Sequence, residues 1–62
     1  MTVTIRDNQK ITASKDTLNH LSLLINEAAN SYKSRGRNAL SEEAMEASEA
    51  IFDALEAIGY YN

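Results

Sequence analysis

Apolar and polar positions change their period once along this chain, near residue 14. Residues 2–5, TVTI, alternate threonine with Val3 and Ile5. Period two belongs to a half-buried strand, here with Val3 and Ile5 on one face. KITA, residues 10–13, reads as a returning strand with Ile11 inward. RDNQ lies between them, and its Asp7 and Asn8 tolerate turn conformations. Residues 1–13 therefore predict a β-hairpin, though the Asn-Gly or Asp-Gly pair of the strongest hairpin turns is missing. A lone two-stranded hairpin is barely stable, so it must pack on helices or pair with another chain.

From Leu18 the period lengthens. Leu18, Leu21, Ile25, Ala28 and Tyr32 follow one another at steps of three and four, flanked by Leu24 and Ala29. That spacing predicts an amphipathic helix over residues 15–34. Ser14 or Asp16 can cap its start, Lys33 suits its last turn, and Gly36 is the residue for a left-handed stop. Leu23 falls off the apolar stripe, beside Asn19, Asn26 and Asn30.

A second helix is expected over residues 41–58, with Ser41 as its cap and Gly59 as its stop. Glu42 and Glu43 would occupy its first turn, and Leu40 with Met45 would form a hydrophobic staple. Its apolar face is wide: Ala44, Met45, Ser48, Ile51, Phe52, Leu55 and Ile58, broadened by Ala47, Ala50 and Ala54. Those alanines offer a flat surface to another helix. Tyr60 and Tyr61 are expected to fold back onto the helix pair.

A short connection makes two long helices antiparallel neighbours. The predicted fold class is α+β, in the order ββαα: an N-terminal hairpin packed on an antiparallel two-helix hairpin, in one domain spanning 1–62. Its expected core is Val3, Ile5, Ile11, Leu18, Leu21, Ile25, Ala28, Tyr32, Leu40, Met45, Ile51, Phe52, Leu55 and Ile58.

Length changes the picture, because 62 residues bury only roughly 60% of their unfolded surface. There is no cysteine to staple the fold and a single histidine, His20. The remaining stabilisers are a well-packed helical core or self-association, and a homodimer is as open an expectation as a monomer. No apolar run approaches membrane-spanning length and no signal-like segment opens the chain, so a cytoplasmic setting without membrane contact is expected.

Charge changes it further. Residues 1–37 hold all six basic residues and three acids, while residues 38–62 hold six acids and no base. Glu42, Glu46, Glu49, Asp53 and Glu56 fall at steps of four, three, four and three, so they line one helical stripe. The stripe is either the solvated back of an amphipathic helix or a face for a basic partner. Arg6, Lys10, Lys33, Arg35 and Arg37 could form a basic patch, but so small a basic balance does not predict nucleic-acid binding from charge alone. The stripe lacks the glycine turn of a calcium loop and the Glu-x-x-His spacing of a di-metal bundle. There is no phosphate loop and no nucleophile elbow, and His20 lies off the apolar face without an orienting carboxylate. Neither catalysis, a cofactor nor a bound metal is expected.

SRGRNALSEEA followed by AIFDALEAIGYYN resembles the C-terminal halves of small uncharacterised proteins of bacterial phages and related mobile elements. The resemblance covers about the last 25 residues, through an alanine-rich acidic helix ending in Gly-Tyr-Tyr. It implies an accessory, host-directed or regulatory setting. The order of strand, helix and helix also resembles the ribbon-helix-helix repressor family, in which strands of two chains pair and enter the DNA major groove. That resemblance implies a dimer whose ribbon residues, Thr2, Thr4 and Arg6 or Lys10 and Thr12, face the bases, with Arg35 and Arg37 as further cations. The function expected first is a non-catalytic module that binds another protein through the acidic face. The alternative is the dimeric DNA-binding ribbon.

Overall fold

A computed structural model describes all 62 residues. Two strands, β1 (Thr2–Arg6) and β2 (Gln9–Thr12), precede two helices, α1 (Lys15–Ser34) and α2 (Asn38–Ala57). The strands pair antiparallel within the chain, with Thr2 opposite Thr12, Val3 opposite Ile11 and Thr4 opposite Lys10. The N-terminal ribbon thus closes on itself. Asp7 and Asn8 make the turn, and neither has positive φ. The turn is therefore not one of the primed types whose twist matches the strands. A register shift between Thr4 and Arg6 leaves Ile5 as the extra residue of a bulge, which bends and twists β1.

Ser14 caps α1 by accepting a hydrogen bond from the Thr17 backbone N–H at 3.2 Å. The helix stops at Gly36, whose φ is +75°. The Gly36 N–H bonds Lys33 O and the Arg37 N–H bonds Tyr32 O, so two of the helix's last carbonyls are satisfied and the chain turns straight back. The same pair of bonds ends α2: Gly59 N–H to Glu56 O and Tyr60 N–H to Leu55 O, again with φ +75° at the glycine.

That tight return corrects the expected start of the second helix. It begins at Asn38, three residues before the expected Ser41, and no side chain caps it. Glu42 and Glu43 fall in its second turn, where the helix dipole favours them less. Ser41 lies inside the helix and is buried. Its hydroxyl donates to Ala29 O at 2.8 Å. Leu40, placed on the helix itself and 39% exposed, does not form the expected staple.

The core is small. Val3, Leu18, Ile51 and Leu55 form its centre, with Ile5, Ile11, Ala13, Ile25, Ala50, Ala54 and Tyr60 packed around them. Leu21, Tyr32, Met45 and Phe52 are half-buried, as their positions beside the interhelical seam require. Ala28, Leu40 and Ile58 were expected inside and are exposed. The hairpin packs on α2 through β1 and leaves the Ala28 flank of α1 uncovered. Ile58 terminates α2, where the chain turns away.

The helices meet through small residues instead. Ser22, Ala29, Ser41 and Ser48 are all buried. Ser22 and Ala29 are seven residues apart, as are Ser41 and Ser48, so they stack as two layers of an antiparallel pair. Ser48 donates to Ser22 O at 3.0 Å, matching the Ser41 bond to Ala29. Ala50 and Ala54 pack against the cluster that joins Val3 of β1 to Leu18 of α1.

Candidate acidic face

Helix α2 carries every acid of the stripe, and its backbone decides which neighbours each one meets. Glu42, Glu49 and Glu56 repeat at heptad spacing, about 10 Å apart along the axis. Asp53 and Glu46 lie beside them toward the back of the helix. All five are exposed.

Glu46 differs from the rest. The guanidinium of Arg6 donates to its Oε2 from Nε at 3.1 Å and from Nη2 at 2.6 Å. Nη1 of Arg6 lies 3.8 Å from Oε1 of Glu43. The bulge at Ile5 makes this possible, because it breaks the alternation that would otherwise have set Arg6 with Thr2 and Thr4. The hydrogen bond and the charge of Glu46 raise the Arg6 pKa above its ordinary value. Arg6 is the one basic residue of the first half that forms ion pairs with acids of the second. Glu42, Glu49, Asp53 and Glu56 make no ion pair.

The remaining cations lie elsewhere. Lys10 is exposed on β2. Arg35 stacks 5.6 Å from the ring centre of Tyr32 and bonds Ser31 through its side chain. Arg37 stands at the N-cap of α2. Arg6 and Lys10 therefore lie on the hairpin, whereas Arg35 and Arg37 flank the interhelical turn at Gly36, and the one that forms an ion pair, Arg6, pairs with Glu46 and Glu43.

One open hollow lies at the interhelical-turn end, lined by Lys33, Asn38, Ser41, Glu42 and Met45. Glu42 connects it to the acidic row. The hydroxyl of Ser41 is engaged by Ala29 O, so it is not a free nucleophile there. His20 is exposed, and no three His, Asp or Glu side chains converge as a metal-holding group. No helix is long and apolar enough to cross a membrane.

No family model, curated protein or solved structure matches this chain. Its functional reading therefore rests on its own geometry.

At the far end of the row the two C-terminal tyrosines close over the helices. Tyr61 stacks against Phe52 with ring centres 6.1 Å apart and donates to Asn19 Oδ1 at 2.8 Å. Tyr60 meets Tyr61 edge-on at 5.2 Å and donates to Asp16 Oδ1 at 2.6 Å. The bond to Asp16, with desolvation, raises the Tyr60 pKa. Desolvation and the charge of Glu56 raise that of Tyr61. Asp16 and Asn19 were invisible as partners in the sequence, because the contact spans more than 40 residues.

Proposed function

We propose that the chain is a small, non-catalytic binding module that offers the acidic face of α2 to a basic protein. The observation that carries this reading is the division within the stripe. Glu46 is bonded to Arg6, whereas Glu42, Glu49, Asp53 and Glu56 stand exposed and unpaired on a helix with no basic residue. Unpaired like charges held at helical spacing repel one another, and a cationic partner relieves that repulsion. The alternative, a DNA-binding ribbon built from two chains, is less well supported. In the form built on β1 it needs that strand to pair with β1 of another chain, whereas β1 pairs with β2 of its own chain and Arg6 is bonded to Glu46.

The test is a titration of the isotopically labelled chain with decalysine at low salt, followed by backbone amide shifts. Shifts are expected at Glu42, Glu49, Asp53 and Glu56. The double variant Glu49→Lys, Asp53→Lys is expected to bind at least roughly tenfold more weakly, with a flatter salt dependence. Equal binding by that variant would end the proposal. Binding of a DNA duplex that is lost in Lys10→Ala would favour the ribbon.

A further inference from the structure

The fold protects one strand of the hairpin and leaves the other open. β1 lies against α2 and is bent by the bulge at Ile5. β2 has no bulge, turns only Ile11 toward the core, lays its backbone against neither helix and pairs only with β1. Of the usual means of blunting a sheet edge, β2 has its short length and Lys10 but neither a bulge nor a covering element.

The ladder shows which backbone groups that edge presents. Met1 and Ala13 exchange both hydrogen bonds, at 3.1 and 3.0 Å. In an antiparallel pair such exchanges alternate with pairs that exchange none. Val3 and Ile11 therefore exchange bonds, and the pairs Thr2–Thr12 and Thr4–Lys10 do not. The 2.7 Å contact between the Thr2 and Thr12 hydroxyls fits this, since side chains are closest in the unbonded pairs. The N–H and C=O of Lys10 and Thr12 consequently point away from β1, into solvent.

We propose that two copies of this chain pair antiparallel along β2, about a twofold axis at Ile11, to make one four-stranded sheet. The register follows from the side chains. Centring on Ile11 lets Lys10 and Thr12 exchange all four of their outward bonds with Thr12 and Lys10 of the partner subunit. Ile11 then faces Ile11 of the partner subunit in an unbonded position, where the two apolar side chains come closest. Moving the register one way sets lysine directly opposite lysine, which destabilises. Moving it the other way runs past Thr12 onto Ser14, already the cap of α1. An unrelated extended strand could take the same four backbone bonds, but only a second copy is bound to set an isoleucine opposite Ile11 in this register.

The contact is small, because only Lys10 and Thr12 supply outward bonds from each chain, and it falls below the ~800 Å² per partner of stable complexes. The dimer is therefore weak: monomer at tens of micromolar, dimer toward the millimolar range. It uses none of the α2 carboxylates, so it stands or falls apart from the proposed binding face.

Amide hydrogen exchange with sedimentation equilibrium tests it, from 20 μM to 2 mM protein. Mass is expected to rise toward twice the chain mass. Over the same range, exchange at Lys10 and Thr12 should slow several-fold, in step with the falling monomer fraction, while Thr2 and Thr4 stay unchanged. Thr12→Pro removes one outward N–H without touching the Val3–Ile11 bonds, and proline is tolerated at such an edge position. Folded Thr12→Pro, checked by its amide spectrum, should remain monomeric. A constant mass would overturn the proposal. So would a dimer in which Lys10 and Thr12 exchange as fast as in the monomer, or a folded Thr12→Pro that dimerises normally. If Thr12→Pro does not fold, the exchange data on the unaltered chain decide alone.

Discussion

Ser48 on α2 donates its hydroxyl hydrogen to the backbone carbonyl of Ser22 on α1, 3.0 Å away. A side chain this short reaches a main-chain oxygen on another helix only if the helices lie close together. Ser41 repeats the contact one heptad earlier, to Ala29 O. The helix pair is therefore set by small residues at its seam, with the larger apolar side chains gathered at the end where Val3 meets Ile51 and Leu55.

Substitutions at Ser48 should rank by size. Ser48→Ala removes one buried hydrogen bond and should cost about 1 kcal/mol. Ser48→Leu must push the helices apart and should cost more, about 1–3 kcal/mol beyond that. Urea denaturation of both variants checks the order. A leucine tolerated as well as alanine would show that the seam is not tightly packed.

Aspartate should separate the two serines that sequence alone would treat alike. As caps, serine and aspartate are nearly equivalent, so Ser14→Asp should change stability by only a few tenths of a kcal/mol. Ser41 is a seam residue, and Ser41→Asp places an unpaired carboxylate between the helices, costing about 3 kcal/mol. Thermal melts at neutral pH measure both. Equal tolerance would mean that α2 can start at Ser41.

Both helix stops depend on a left-handed backbone. A Cβ at Gly36 would meet nothing within 4 Å, and at Gly59 only Asn62 Nδ2 at 3.6 Å. Crowding is thus absent at either site and the cost is conformational. Gly36→Ala and Gly59→Ala should each lose about 1–2 kcal/mol, and the asparagine variants less. A neutral Gly36→Ala would show that the turn can re-form in another conformation.

The C-terminal clasp should open in alkali. Tyr60 and Tyr61 both have raised pKa values, so the folded chain holds their protons more tightly than the unfolded one. Their contribution is complete below the ordinary tyrosine value of 10.0 and is lost as pH climbs through the raised, folded values. Stability should fall along that limb, and Tyr60→Phe should flatten it. Denaturant titrations at several alkaline pH values, with tyrosinate absorbance followed in parallel, test this. An unchanged alkaline limb in Tyr60→Phe would place the effect elsewhere.

What the sequence determined by itself is local. Period-two alternation marked the strands, and steps of three and four marked α1 from Lys15 to Ser34. Gly36 and Gly59 marked the stops, and the stripe from Glu42 to Glu56 could be counted directly. Such features depend on neighbours within one or two turns. Tertiary structure decided the rest. The return through Gly36 started α2 at Asn38 and turned Ser41 from a cap into a seam residue. The bulge at Ile5 brought Arg6 to Glu46, which removed one carboxylate from the free row. Pairing between Thr2–Arg6 and Gln9–Thr12 closed the ribbon in one chain and left the outer edge of β2 open. Each of these depends on which surfaces meet, and a period along one chain specifies the face an element buries but not the element that covers it.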